Sequence, residues 1–334
     1  MPLFQFPTIL IILTYHSTNA YKILFLTPLG TRSETHLFQP YAKALLTRGH
    51  QITYISSQPS GVKNNPNFEE IIPTKPFTMI DFTGNISMSP VEIRAVTKDK
   101  LSSILSWNFT FIFDRCHQVF QNEQFNNLVR RETTYDLIIT NAFFNNCFHG
   151  LIHKFGAPFI AVHTMPVDAV VGRMTGLRMP TSFVPVSFLD FSDRMSFYHR
   201  FVNTICTWAF SYLLDNAKQE YTRIYRHYMG EEYPWSEDIE SNVSVLMSNS
   251  HVSIYFPRPL LPNIVEIAGI HCRPAKPLEN IVSFFTHILY VQKMDIISMQ
   301  IYCTGIEKIF GSSGRAWIHF VQFGIGCTNE FFVS

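Results

Sequence analysis

The chain is poor in charge. Asp, Glu, Lys and Arg make up 15% of its 334 residues, against about 25% in an average soluble domain. Neither sign dominates, with 26 basic and 25 acidic residues and a net charge of +1. That excludes a nucleic-acid partner held by phosphate neutralisation. Six cysteines are too few for a disulfide scaffold of this length. After the first twenty residues the longest apolar run is residues 281–291, eleven residues that include His287; a membrane-spanning helix needs about twenty. There is no Gly-x-Gly-x-x-Gly, no Walker loop and no Gly-x-Ser-x-Gly elbow, so the common marks of dinucleotide, P-loop and α/β-hydrolase chemistry are missing. All 19 prolines lie at or before Pro277.

What is present is apolar and aromatic. Aromatic residues reach 15%, and 31 of them are Phe. Such a chain buries a large core and is not disordered. Its length has room for two ordinary domains or one large one. Residues 1–20 read as a secretory signal, with Ile9 to Leu13 as the apolar centre and small residues at Thr18 and Ala20 for cleavage. Three sequons, at Asn85, Asn108 and Asn242, agree with a lumenal address and are candidate glycosylation sites. Disulfides are possible there, but the pairing among Cys116, Cys147, Cys206, Cys272, Cys303 and Cys327 is left open. Residues 186–214 carry Phe197, Phe201, Trp208 and Tyr212, with charges that forbid a span. They are read as a pair of core helices, with a resting place on a membrane surface as the alternative.

The organisation is βαβ. Residues 22–27 form an apolar strand ending at Pro28 and Gly30; Leu37, Tyr41, Ala44 and Leu45 follow helical spacing up to the stop at Gly49; residues 51–56 are the next strand. Residues 90–131 read as mainly helical, 136–140 as a strand, 146–155 as a helix, 158–162 as a strand, and 243–248 and 264–267 as two more. Continuous apolar strands separated by helices imply an α/β fold with a parallel sheet covered on both faces. His149 and His153 are four apart on one helix, a spacing used by metal pairs, but no third ligand follows and no metal is expected.

At the first strand–helix junction a longer pattern emerges. Ser33-x-x-His36-Leu37-Phe38-Gln39-Pro40, then Leu45-x-x-Arg48-Gly49-His50-Gln51-Ile52-Thr53, resembles the opening of the UDP-glycosyltransferases of insect type. Tyr135-Asp136-Leu137-Ile138-Ile139, Phe143-Phe144-Asn145-Asn146-Cys147-Phe148 and the run from Pro262 to Leu278 extend the likeness to about residue 280. The resemblance implies a GT-B architecture, with an N-terminal Rossmann-like domain for a small lipophilic acceptor and a C-terminal domain for the UDP-sugar. It also implies a His general base oriented by an Asp, and an endoplasmic-reticulum membrane anchor at the C-terminus.

Three departures stand out. The family's His position holds Glu34, with His36 two residues on; the Asp position falls at Asn141, with Asn146 as the other candidate. Phe143 and Phe144 are the acceptor-binding residues that the resemblance offers. Nothing after Leu278 matches the donor signature or the anchor. The expected organisation is therefore a signal at 1–20, an acceptor-binding domain at 21–280 and a divergent tail at 281–334, poorly ordered or locally helical. The tail is also readable as translated intron or an out-of-frame exon. The expected function is that of an acceptor half with little or no transferase activity alone; no cofactor is expected, and UDP-sugar, the family's co-substrate, is not expected to bind. Alternatives are a non-catalytic partner or regulator of homologous glycosyltransferase chains, or a lumenal binder of lipophilic molecules. The expected location is the endoplasmic-reticulum lumen or the secreted fraction.

Overall fold

A computed structural model describes residues 20–77, 110–186, 189, 191–253 and 255–272. The expected signal at residues 1–20 (except Ala20), the sequons at Asn85 and Asn108, residues 90–109 and the tail at 281–334 lie outside the described residues. The chain divides into two compact units, 1–268 and 269–334. The first carries the sheet. Of the second, residues 269–272 are described: a turn closed by Cys272 N–H donating to Gly269 O at 2.9 Å. Cys272 is disulfide-bonded.

Seven parallel strands form one sheet in the order β3-β2-β1-β4-β5-β6-β7. They are β1 (Lys22–Thr27), β2 (Gln51–Ser56), β3 (Phe68–Ile71), β4 (Leu137–Asn141), β5 (Phe159–His163), β6 (Val245–Ser248) and β7 (Ile264–Glu266). The doubly wound Rossmann-like domain expected from the sequence is what forms. Ile23, Phe25, Ile52, Tyr54 and Val162 are buried on one face, beneath α1 (Arg32–Thr47). The other face is covered by α2 (Thr110–Gln121), α3 (Glu123–Arg130) and α4 (His149–Phe155), and by the long α5 (Phe197–Met229) with the short α6 (Ser236–Glu240). Burial on both faces is why the strands read as unbroken apolar runs.

Local signals explain the ends of these elements. Thr31 caps α1, and its partner Glu34 reaches back to the cap, a reciprocal capping box. After α1 the chain turns through Gly49 at φ +87°, a conformation that favours glycine. Arg131, just past α3, clamps Glu69 of β3 with two hydrogen bonds of 2.6 and 2.7 Å. A disulfide joins Cys116 of α2 to Cys147, in the 3-10 turn Asn146–Phe148 that leads into α4.

The reading of residues 186–214 as a core helix pair is not what the structure shows. From Phe197 they belong to one 33-residue helix, α5. Its N-terminal half turns Phe197, Phe201, Trp208 and Tyr212 outward, at 79%, 59%, 69% and 68% exposure. Cys206 and Phe210 face the core. Aromatic content does not say which side of a helix is wet; the spacing of the partners on the sheet decides that.

Candidate functional site

The strand order reverses its chain direction between β1 and β4. In an open parallel sheet, the loops at the carboxyl ends of two such strands splay apart and leave a crevice. The loop after β1 leads to Thr31 and α1, and the loop after β4 is residues 142–145. Of the candidate residues, Phe143 and Phe144 fall in the loop after β4, Asn141 at the end of β4 and Glu34 in the first turn of α1.

Glu34 stands at the third position of α1. Its Oε2 accepts the Thr31 N–H at 2.6 Å, and its Oε1 accepts an N–H from Asn141 Nδ2 at 3.1 Å. Asn141 is the last residue of β4 and is buried. Its Oδ1 accepts the Phe143 N–H at 3.1 Å, which fixes the amide with its NH2 toward Glu34. Burial pushes the Glu34 carboxyl above its ordinary value of 4.5, against the hydrogen bonds from Thr31 and Asn141 that pull it down. The structure therefore joins two of the four proposed catalytic positions into a carboxylate–amide pair.

The other two lie elsewhere. His36 is exposed on α1. Two helical residues turn a side chain by about 200°, so His36 points away from the face on which Glu34 meets Asn141. Asn146, in the 3-10 turn, donates from Nδ2 to Glu240 Oε1. It belongs to the wall of an apolar recess on the opposite face of the sheet from α1.

That recess is small, with a cavity volume of about 30 Å³. Phe143 and Phe144 line it together with Val171, Met174, Leu214 and Tyr221. Phe144 has φ +64°, a left-handed backbone that a bulky residue adopts at a cost. The conformation is held from both sides. Phe77 packs edge-on against the Phe144 ring at 5.8 Å. The next residue, Asn145, is fully buried; its Oδ1 accepts the Leu29 N–H at 3.1 Å, and its Nδ2 donates to Leu29 O at 2.9 Å and Phe143 O at 3.1 Å. The loops after β1 and β4 are thus stitched together by one carboxamide.

Sequence reasoning passed over Asn145, and nothing local marks it. It also passed over Lys218 and Glu240, a buried ion pair at 2.5 Å among the residues that line the recess. Here a signal existed. Leu214, Lys218, Tyr221 and Tyr225 fall at positions i, i+4, i+7 and i+11, so a lysine occupies the buried stripe of α5. His149 is buried beside this pair, with Nδ1 2.9 Å from Ser236 Oγ. Burial and the Lys218 charge push its pKa down from 6.5 to about 3, so the ring is neutral. His153 packs edge-on against Tyr233 at 5.6 Å, away from that cluster. Among the described residues no three His, Cys, Asp or Glu come together as a metal site. Asn242, the sequon within the described residues, is exposed and donates from Nδ2 to Asp238 O at 2.8 Å.

The family model described as "UDP-glucoronosyl and UDP-glucosyl transferase" matches residues 33–288. The chain is 28% identical over 264 residues to UDP-glycosyltransferase UGT4 of Dactylopius coccus, covering 77% of this chain and 50% of that protein. It is 29% identical over 278 residues to UDP-glucuronosyltransferase 2B28 of Homo sapiens, covering 79% and 51%. The calicheamicin glycosyltransferase CalG4 is similar in structure at 11% identity and a TM-score of 0.38, covering 78% of this chain and 54% of that one. The chain spans about half the length of the curated relatives it matches. With a match over residues 33–288, the chain belongs to the UDP-glucoronosyl and UDP-glucosyl transferase family.

Proposed function

We propose that this domain supplies the acceptor side of a sugar transfer from a UDP-sugar to a small lipophilic molecule, and that it has little or no transferase activity of its own. The observation that carries this reading is the contact of Glu34 with Asn141 at 3.1 Å, where the chain runs on from Asn141 into Phe143 and Phe144. An acceptor hydroxyl must lose its proton as it attacks the anomeric carbon. An imidazole suits that step, because it titrates near neutral pH and an adjacent carboxylate stabilises its protonated form. Here the polarity is inverted. Asn141 donates to Glu34, and a donated hydrogen bond favours the charged carboxylate over its protonated form. Burial pulls the other way, but the pair has no partner that strengthens as the proton arrives. The acceptor is bound, and its deprotonation is weakly assisted.

The test is transfer of radiolabelled sugar from UDP-glucose and UDP-glucuronate to a panel of phenols by the purified chain, alongside binding of the same phenols. Binding without transfer is the expected result; clear turnover refutes the reading.

A lumenal address belongs to the same proposal. It is supported by the signal at residues 1–20 and by the Cys116–Cys147 disulfide, since such bonds persist in oxidising compartments. Glycosylation at Asn85, Asn108 and Asn242 would follow from it. Among the described residues no helix is long and apolar enough to cross a membrane. A surface contact is supported instead by the outward stripe of α5. Phe197, Phe201, Ile205, Trp208 and Tyr212 recur at helical spacing and are exposed. No acidic residue lies between Asp193 and Asp215, whereas Arg194 and Arg200 flank the stripe. Aromatic residues with basic neighbours suit the headgroup layer of an anionic bilayer. Sedimentation with vesicles of phosphatidylcholine and phosphatidylserine should carry the chain down, and Phe201→Glu/Trp208→Glu should leave it in solution; equal sedimentation of the two refutes the contact.

A further inference from the structure

The carboxylate of Glu34 closes a ring of bonds that spans both loops at the carboxyl edge of the sheet. On one arm the Thr31 N–H donates to Oε2 at 2.6 Å, and Thr31 is joined through Gly30 to Leu29. On the other arm Asn141 Nδ2 donates to Oε1 at 3.1 Å, the Phe143 N–H donates to Asn141 Oδ1 at 3.1 Å, and Asn145 Nδ2 donates to Phe143 O at 3.1 Å. The two arms meet at Asn145. Its Oδ1 accepts the Leu29 N–H at 3.1 Å, and its Nδ2 donates to Leu29 O at 2.9 Å. The Asn145 side chain is fully buried.

The direction of every bond in the ring is fixed. A backbone N–H only donates, and a backbone C=O only accepts. Leu29 therefore sets which end of the Asn145 carboxamide is oxygen and which is nitrogen, and the Phe143 N–H does the same for Asn141. Phe143 is held at both of its backbone groups, the N–H by Asn141 and the C=O by Asn145. With Phe143 so placed, the NH2 of Asn141 is directed at Glu34. Gly30 completes the other arm. A Cβ there would stand 3.2 Å from Glu34 Oε2, so a glycine lets the turn close on the carboxylate. The residues lining the space beside the carboxyl are Thr27, Leu29, Gly30, Thr35, Phe38 and Asn141, none with a charge; Arg32 and His36 of α1 are exposed.

We propose that Asn145 is the positioning residue of this site: by holding Phe143 and Leu29 together, it keeps the Asn141 NH2 on one oxygen of Glu34 and the Thr31 N–H on the other. Both oxygens of the carboxylate are thereby engaged by the scaffold, and its charged form is favoured. The proposal rests on the reading of Glu34 and Asn141 as part of the acceptor side, and it names the residue that sets their geometry. Asn145 acts on the pair through Phe143 and Leu29.

The experiment follows the side-chain carboxyl of Glu34 by carbon NMR across a pH series in the purified full chain, with Glu34→Gln to identify its signal. Without the Asn145 side chain, Phe143 and the Asn141 amide are free to turn, and the carboxylate loses a donated hydrogen bond. Asn145→Ala should therefore raise the Glu34 midpoint by about 1–2 pH units, the worth of one hydrogen bond to a charged group. Asn203→Ala is the control. Asn203 is also a fully buried carboxamide with three hydrogen bonds, from the Val186 N–H at 2.8 Å and to Thr181 O and Val184 O at 2.7 and 2.9 Å. Its loss matches the loss of packing without touching the ring, and it should leave the midpoint unchanged. A second measurement needs no variant. In the wild type the Asn145 NH2 signals should move with the Glu34 midpoint, and those of Asn203 should not. An unchanged midpoint in folded Asn145→Ala overturns the proposal and leaves the acceptor reading standing. So does an equal rise in Asn203→Ala, and so do Asn145 NH2 signals that stay still through the Glu34 titration. A wild-type chain that binds no phenol, while Asn145→Ala shifts Glu34 as expected, overturns the acceptor reading alone.

Discussion

Replacing Asn141 with Asp restores the residue type that the family resemblance implies at that position, and it should damage this protein. The amide now donates to Glu34 Oε1 over 3.1 Å. An aspartate there would set two carboxylates against each other. At an effective dielectric of about 20, two charges 3.1 Å apart repel by about 5 kcal/mol, and the lost hydrogen bond adds about 1–3 kcal/mol. The native state has a less costly escape, which is to hold one shared proton. Keeping that proton costs about 1.4 kcal/mol for each pH unit above the ordinary carboxylate value of 4.5. The cost is thus at most about 4 kcal/mol at pH 7.5 and under about 1 kcal/mol at pH 5. The sign follows from proton counts. Above pH 4.5 the unfolded chain has released a proton that the folded pair retains, so stability falls as pH rises toward the raised folded value. Wild-type Glu34, already raised by burial, gives a slope of the same sign but smaller, and the difference between the two proteins is the quantity to read. Urea unfolding at pH 5, 6 and 7.5 measures it. Adding Glu34→His to Asn141→Asp removes the like-charge contact and should return most of the loss. A loss independent of pH, or none at pH 7.5, would mean that positions 34 and 141 do not meet.

Three further outcomes follow from the same contacts. His149 is neutral, with its pKa lowered from 6.5 to about 3; unfolding lets it take a proton, so stability should fall by about 2 kcal/mol between pH 6.5 and pH 5 from this group. Its ring proton signals should show no titration between pH 5 and 8 in an NMR series, and a midpoint near 6.5 would refute its burial. Gly150→Ala would place a Cβ 2.9 Å from Met229 Sδ and 3.0 Å from Tyr225 Cδ2. The crowding costs about 1–3 kcal/mol against about 1 kcal/mol of helix propensity gained, so a lowered Tm is expected by calorimetry. Cys116→Ser/Cys147→Ser opens a loop with a sequence separation of 31, which should cost about 3–4 kcal/mol in chemical denaturation.

What the sequence revealed was the part determined by near neighbours. The strands at 22–27 and 51–56, the helix between them and the stop at Gly49 each depend on a few adjacent side chains, and they appear where expected. The candidates Glu34 and Asn141 came from the family resemblance, which also offered His36 and Asn146; that Glu34 and Asn141 touch is seen in the fold, where both sit near the carboxyl ends of neighbouring strands. What stayed hidden depends on contacts across the fold. Asn145 meets Leu29 across 116 residues. Lys218 and Glu240 are 22 apart, joined where α6 folds back on α5. Six cysteines allow fifteen complete pairings, and only the packing of α2 on the 3-10 turn selects Cys116 with Cys147. The aromatic run was placed in the core because its amount, not its direction around the helix, was the visible property.

The carboxamide of Asn145 has a consequence for engineering. Its three hydrogen bonds join the loop that ends β1 to the loop that ends β4. The segment carrying the carboxylate of Glu34 and the segment carrying the Phe143 and Phe144 rings form one mechanical unit. A chimera that imports either loop alone from a relative would break the joint and strand a buried carboxamide. Both loops must be transplanted together, as one cassette, if a donor's acceptor preference is to travel with them.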